Sequence, residues 1–275
     1  MITTPQKKKI RVLPLFLTTI LILVTCFTLY VNLYKPRKIL EYGSRLLDSF
    51  GIAGDSEALT GTERDRGAIS EEARKKDAEV CAKLRQREYL VVLDTITKLG
   101  STVGIYNITC DDETASLVGQ LSYLNCLNMD NVQITPAQCE TMFRNLTRIT
   151  SLNLNKCSIT SEMMRNFVHM KKLVGITLSD TQIDKKGLEM ILDLPKLRIL
   201  TLSNTRIGNE DLDVVSRFHQ IHWLLLENTQ VNDEGLIKLA SMKNLKHLTI
   251  RKGNNISQKA IDELVAANPR ITAID

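Results

Sequence analysis

A 24-residue repeat in the second half of the chain restricts its fold more than any other feature. The segments TQIDKKGL (181–188), TRIGNEDL (205–212) and TQVNDEGL (229–236) have nearly the same pattern and are offset from one another by 24 residues. A fixed period of about 20 to 50 residues is typical of stacked repeat proteins, in which each unit buries its apolar face against the next. The period therefore predicts a solenoid.

Each unit is predicted to contain a strand, a corner and a short helix. Six consecutive units read L-x-x-L-x-x-L-x-L-x-x-[TCN]-x-[IV], beginning near Leu121. The x-L-x-L-x part alternates as a half-buried strand does. The last position of the pattern is apolar in every unit: Ile134, Ile159, Ile183, Ile207, Val231 and Ile256. The residues that follow are all of types that cap helix N-termini: Thr135, Thr160, Asp184, Gly208, Asn232 and Ser257.

This pattern resembles that of leucine-rich-repeat proteins of the broad type that includes the internalins and ribonuclease inhibitor. It is most similar to the 24-residue repeats with a T-x-[VI]-[TN]-D-x-G-L corner found in planctomycete bacteria. The similarity extends from about Leu93 to Ile271, with ITKLGSTVGIYN (96–107) similar to N-terminal caps and ELVAANPRI (263–271) to C-terminal ends. The resemblance implies an α/β, right-handed solenoid with a concave parallel sheet and convex helices, and a protein-binding or scaffolding role.

The segments that flank the repeats are predicted to be caps. Ser70 can cap a helix that continues to a stop at Gly100, and residues 102–109 alternate as a strand does. The predicted organisation is an N-terminal cap over 70–120, repeats over 121–260 and a C-terminal cap over 261–275.

Residues 12–34 form an uncharged, mostly apolar segment. As a helix, VLPLFLTTILILVTCFTLYVNLY is long enough to cross a hydrocarbon layer of about 30 Å. We therefore predict a transmembrane signal anchor at 12–34, a basic tail at 1–11 and a flexible tether at 35–69. A cleaved signal peptide is the alternative, although its apolar region usually has only about 7 to 15 residues. Four basic residues precede the segment and three follow it, which slightly favours a cytoplasmic N-terminus.

The charge, the cysteines and the known motifs argue against several functions. Residues 1–38 carry seven Lys and Arg and no acidic residue, whereas the remaining chain has 29 basic and 31 acidic residues. The folded part thus gives no reason to expect nucleic-acid binding. The six cysteines include no C-x-x-C pair, so we expect no disulfide framework or zinc cluster, although isolated pairs are possible. No P-loop, G-x-G-x-x-G, G-x-S-x-G or H-E-x-x-H motif occurs in the folded region, and we expect no enzyme, cofactor or metal site.

The outward-facing positions of the predicted sheet contain one candidate binding site. Trp223 is the only tryptophan, and the alignment places apolar or aromatic side chains beside it and charged residues around it. Such a cluster is typical of a protein-binding hot spot. The predicted partner-binding residues are Trp223, Leu225, Ile199, His247, Arg251, Glu227 and Arg198.

Two alternatives are open. The C-terminal cap or a neighbouring chain could cover Trp223. The protein could also be a structural component of the cell envelope that packs laterally or on cell-wall polymer. A recognition module would depend on Trp223 and Arg251, whereas a packing component would depend on residues at the edges or on the convex side.

Overall fold

One sheet of nine strands runs through the residues that the computed structural model describes, which are 70–93, 100–271 and 273–274. The basic tail, transmembrane anchor and tether predicted for residues 1–69 lie outside these residues. No helix within the described part of the chain is long and apolar enough to span a membrane.

The strands follow one another in the sheet in chain order. β1 is antiparallel to β2, and every later strand is parallel to the one before it. Their bounds are β1 Leu90–Leu93, β2 Gly100–Thr109, β3 Cys126–Gln133, β4 Ser151–Asn155, β5 Gly175–Thr177, β6 Ile199–Thr201, β7 Trp223–Leu225, β8 His247–Thr249 and β9 Ala273–Ile274. Neighbouring parallel strands require crossover connections, which here contain the short helices. The predicted α/β solenoid with a parallel sheet is confirmed.

The helices are short except at the two ends. They are α1 Glu71–Gln86, α2 Asp112–Gly119, α3 Pro136–Phe143, α4 Lys185–Met190, α5 Leu212–Val215, α6 Asp233–Leu236 and α7 Gln258–Ala267, with 3-10 turns at Ser161–Phe167 and Ile237–Ser241. The predicted caps Thr135, Asp184, Asn232 and Ser257 each accept hydrogen bonds from first-turn backbone N–H groups.

Two corners differ from the predicted capping pattern. Thr160 precedes a 3-10 turn and forms no side-chain cap. Gly208 has no side chain to offer, and α5 begins only at Leu212. The carboxylate of Asp211 instead accepts a hydrogen bond from the Gly208 N–H at 2.8 Å.

The core is built from repeated apolar columns in register. The inward column of the strands is at most 1% exposed and consists of Leu127, Leu152, Ile176, Leu200, Leu224 and Leu248. Strand pairing places these residues directly side by side. Phe143 and Phe167 of successive helical segments meet edge to face, with 4.9 Å between ring centroids. Each unit therefore buries its apolar face only by stacking on its neighbours.

The N-terminal end of the sheet differs from the sequence prediction. Ser70 does cap α1, but the helix ends at Gln86 and does not continue to Gly100. Glu88 has a positive φ of 63°, which breaks the helix. The segment LVVL (90–93) then pairs with β2, because branched side chains favour a strand and the sheet edge offers a partner. Gly100 is the first residue of β2 and not a helix stop.

The C-terminal end is closed by α7 and β9. The buried Asn268 side chain donates a hydrogen bond to the Met242 carbonyl oxygen at 3.0 Å, which fixes the end of α7 against the last repeat. β9 then pairs with β8, and Ile274 lies opposite Leu248. The core is thus covered at both ends within the compact unit Gly61–Asp275.

A row of left-handed residues, which the sequence did not predict, lies near the ends of β2 and β3 and just after the later strands. Its members lie one repeat apart and have φ between 50° and 75°: Asn107, Asn131, Lys156, Asp180, Asn204, Asn228 and Gly253. Asn204 donates to Asp180 at 3.0 Å, and Asn228 donates to Asn204 at 2.8 Å. A Cβ on Gly253 would overlap the Asn228 side chain. Six of the seven residues are Asn, Asp or Gly, which tolerate this backbone conformation best, and Lys156 is the exception.

Candidate partner-binding face

The outward side chains of β3–β8 form a continuous surface, which we call the open face. Strand pairing aligns its first column as Cys126, Ser151, Gly175, Ile199, Trp223 and His247. The second column consists of Asn128, Asn153, Thr177, Thr201, Leu225 and Thr249. Both columns have the composition and the register that the sequence predicted.

Trp223 is at the centre of the apolar half of the open face. It pairs in register with Ile199 on one side and with His247 on the other. The rings of Trp223 and His247 stack with 4.0 Å between centroids and 31° between planes. Ile199, Trp223, Leu225 and His247 are each half-buried, so the cluster is packed and still reachable.

The C-terminal strand lies beside the cluster in the sheet. β8 separates β9 from β7, and Ala273 of β9 pairs with His247 and not with Trp223. Within the described residues, the cap therefore extends the sheet at its edge, next to His247.

Charged residues border the cluster along both ends of the strands. Arg198 directly precedes β6, and its guanidinium donates to the carbonyl oxygens of Pro195 and Leu197 at 3.2 and 3.3 Å. Glu227 and Arg251 follow β7 and β8, and Arg251 donates to the Gln258 side chain at 3.2 Å. The structure thus brings the apolar members of the predicted site together and places its three charged members around them.

The other half of the open face is polar and satisfies much of its own hydrogen bonding. Thr177 donates to the Asn153 side chain at 2.6 Å. Ser179 donates through its backbone N–H to Asn155 at 3.2 Å, and through its hydroxyl to Thr201 at 3.2 Å. Groups already bonded in this way gain less from a partner, so the apolar half is the better binding surface.

Tyr106 on β2 is a surface residue that the repeat alignment did not identify. It pairs with Asp130, so it extends the outward side of the sheet beyond β3, and it is 43% exposed. Its ring lies against Gly104, where a Cβ would come within 2.7 Å of the phenol oxygen. The pKa of the Tyr106 phenol is raised, mainly because the side chain is partly buried. The alternation in TVGIYNIT points Tyr106 outward, but the sequence pattern assigns β2 to the cap and not to the repeats.

The histidines and cysteines show no reactive arrangement in the described residues. Within 70–93, 100–271 and 273–274, no three His, Cys, Asp or Glu side chains are grouped as metal ligands. His169 is half-buried, and burial lowers its pKa. Every described cysteine is a free thiol. Burial raises the pKa of Cys139 to about 12, and the pKa of Cys110 and of Cys157 to about 11. These thiols are protonated at neutral pH and are poor nucleophiles.

Comparison with known proteins gives one family match and several similar folds. The leucine rich repeat family model matches residues 147–207, which include β4, β5 and β6. Internalin C2 of Listeria monocytogenes is similar over 73% of this chain and 85% of its own, with 21% identity and a TM-score of 0.49. A second L. monocytogenes internalin is similar over 73% of this chain and 68% of its own, with 14% identity and a TM-score of 0.40.

A leucine-rich-repeat protein of Leptospira interrogans is similar over 61% of this chain and 45% of its own, with 21% identity and a TM-score of 0.41. No curated protein matches the sequence.

Proposed function

Because the chain is a leucine-rich-repeat protein, we propose that it is a non-catalytic recognition module that binds a protein or peptide on the open face of its sheet. The observation that supports this most directly is the half-buried stack of Trp223 on His247, with Ile199 and Leu225 beside it. The corresponding face is the extended binding surface of solenoids of this kind.

The cluster has the physical properties of an interface centre. Truncation of a hot-spot tryptophan to alanine weakens the binding free energy by about 2 kcal/mol or more. Trp223 is attached to a strand and stacked on a neighbouring ring, so little side-chain freedom remains to be lost on binding. Arg198, Glu227 and Arg251 then provide charges of both signs at the rim, which favour one partner orientation over others.

We also propose that residues 12–34 anchor the module to a membrane as a single span with the N-terminus in the cytoplasm. The support is the length of the uncharged segment and the basic residues on either side of it. Full-length protein should therefore remain in the membrane fraction after alkaline carbonate extraction, and a chain that lacks residues 1–34 should be released.

The recognition proposal is tested by affinity capture from native membranes with residues 61–275 as bait. The test variant is Trp223→Ala with Arg251→Ala. The matched control is Ile237→Ala with Arg206→Ala, which removes the same kinds of side chain from exposed positions outside the open face. All three baits must first show equal thermal stability.

We expect one discrete protein to bind the wild type and the control, and to bind the test variant at least about tenfold more weakly once purified. Equal affinity of all three baits for that protein would refute the site. Recovery of only the bait protein itself, equally with every variant, would favour the structural role in the cell envelope.

A further inference from the structure

One edge of the solenoid carries a row of positive charge that the recognition site does not explain. The row lies in the loops that enter β4–β9, and we call it the basic edge. It contains nine Lys and Arg, in segments 148, 171–172, 196–198, 217–222, 243–246 and 270, and one acidic residue, Asp193, lies in the same loops. His219 and His222 lie in the same segments.

The loops of the basic edge are stacked in register. The His222 N–H donates to the Arg198 carbonyl at 2.8 Å, and the Lys246 N–H donates to the His222 carbonyl at 2.9 Å. Side chains reinforce the stacking, because Lys171 reaches the Asp193 carbonyl at 3.3 Å and Arg270 reaches the Lys243 carbonyl at 3.2 Å. With about 4.8 Å between strands, the charges form a line of roughly 25 Å.

The opposite edge is rich in acidic residues that have structural roles. They follow the C-terminal ends of the strands, where Asp111 and Asp184 cap α2 and α4. Asp233 accepts a hydrogen bond from the Ser257 N–H at 2.8 Å. Helix capping and the helix dipole therefore account for much of the acidic edge.

Capping accounts for the basic edge less well. Lys171, Arg198 and Lys243 do contact backbone carbonyl oxygens, which satisfies donors but leaves the positive charge in place. Some of the preceding helices are very short, and α5 and α6 have only four residues each. The partial negative charge at their C-terminal ends therefore offsets only a small part of this positive charge. A surface with a large excess of positive charge along one edge fits an extended anionic partner.

We propose that the basic edge docks on the anionic lipid headgroups of the membrane to which the chain is anchored. This inference rests on the proposed anchor at residues 12–34. About 35 residues separate that segment from α1, and a flexible chain of this length has an end-to-end distance of roughly 30 to 35 Å. The tether thereby keeps the domain near the leaflet on the side of the membrane opposite the cytoplasmic N-terminus. Where that leaflet contains anionic lipid, each Lys or Arg favours the docked state about fivefold.

The proposal is tested with full-length protein in nanodiscs of phosphatidylcholine alone and in nanodiscs that also contain about 30% phosphatidylglycerol. Lysine reactivity toward an acetylating reagent is measured residue by residue with mass spectrometry. Lys171, Lys196 and Lys243 on the basic edge are exposed, as are the comparison residues Lys185 and Lys252 on the other edge.

We expect the three basic-edge lysines to react several-fold more slowly in anionic discs, with Lys185 and Lys252 unchanged. At 1 M NaCl, where the Debye length is about 3 Å, the protection should disappear. A Lys171→Gln, Lys196→Gln, Lys243→Gln variant should dock roughly a hundredfold less and so lose the protection of its other basic-edge lysines, Lys172 and Lys246. The matched control, Lys185→Gln, Lys186→Gln, Lys252→Gln, should retain it.

Equal reactivity in the two lipids would overturn docking while leaving the anchor intact. Protection that depends on protein concentration and not on lipid charge would also overturn it, and would indicate contact with the acidic edge of a second copy. Protein that leaves neutral discs but sediments with anionic vesicles would refute the anchor and support the basic edge. Protein that binds neither would refute both.

Discussion

Replacement of Asn204 tests the left-handed row of residues that joins successive repeats. Asn204 has a φ of 57° and lies at the surface between Asp180 and Asn228. It donates one side-chain hydrogen bond at 3.0 Å and accepts another at 2.8 Å. Glycine and alanine both remove these hydrogen bonds, but only glycine adopts a positive φ without strain.

The expected losses of stability follow from these two contributions. Two exposed side-chain hydrogen bonds contribute about 0.5 kcal/mol each, so Asn204→Gly should lower the free energy of unfolding by about 1 kcal/mol. Alanine at positive φ is worse than glycine by about 1 kcal/mol, even after allowance for the greater unfolded-state entropy of glycine. Asn204→Ala should therefore lose about 2 kcal/mol, or roughly 4 to 8 °C in Tm.

The assay is urea unfolding of residues 61–275, followed by circular dichroism and by the fluorescence of Trp223 in the next repeat. Arg206→Ala is the control, because Arg206 is exposed, lies two residues away and has no positive φ, and it should change stability by less than about 0.5 kcal/mol. Equal losses for glycine and alanine would refute the argument from backbone conformation. A glycine variant as stable as the wild type would show that the side-chain hydrogen bonds contribute nothing.

Two further predictions concern the thiols and the acid stability. In the native protein, a maleimide should modify the half-buried Cys126 first. The buried cysteines should react only on unfolding, and they are Cys81, Cys110, Cys139 and Cys157. If peptide mapping found one of these four modified before Cys126, the burial would be contradicted. The Ser161 hydroxyl and the backbone N–H groups of α4 lower the pKa of Asp184, so its stabilising effect should be complete above pH about 4 and be lost as the pH falls through the lower native pKa. Asp184→Asn should flatten this part of the stability profile, and urea midpoints that vary with pH in parallel for both proteins would refute the assignment.

The sequence determined the repeated part of the fold because each unit has the same apolar pattern and buries it in the same way. The alternation of Leu224 and Leu226 with Trp223 and Leu225 fixes which side chains enter the core, and the 24-residue spacing fixes their register. The columns of the open face, including the neighbours of Trp223, could therefore be written down before any coordinates. Most helix starts were predicted as well, since Asp184, Asn232 and Ser257 act within three residues.

The tertiary structure decided what depends on contacts between units or at the ends. LVVL (90–93) continued a helical pattern in the sequence, but pairing with β2 made it a strand, because its branched side chains favour a strand and β2 offers unpaired backbone groups. The stacking of Trp223 on His247 depends on side-chain orientations, which an alignment of the repeats does not give. The left-handed row and the basic edge were hidden for a related reason. Asn204, Lys171 and Arg270 are unremarkable in their own units, and only stacking of the units brings their equivalents into lines.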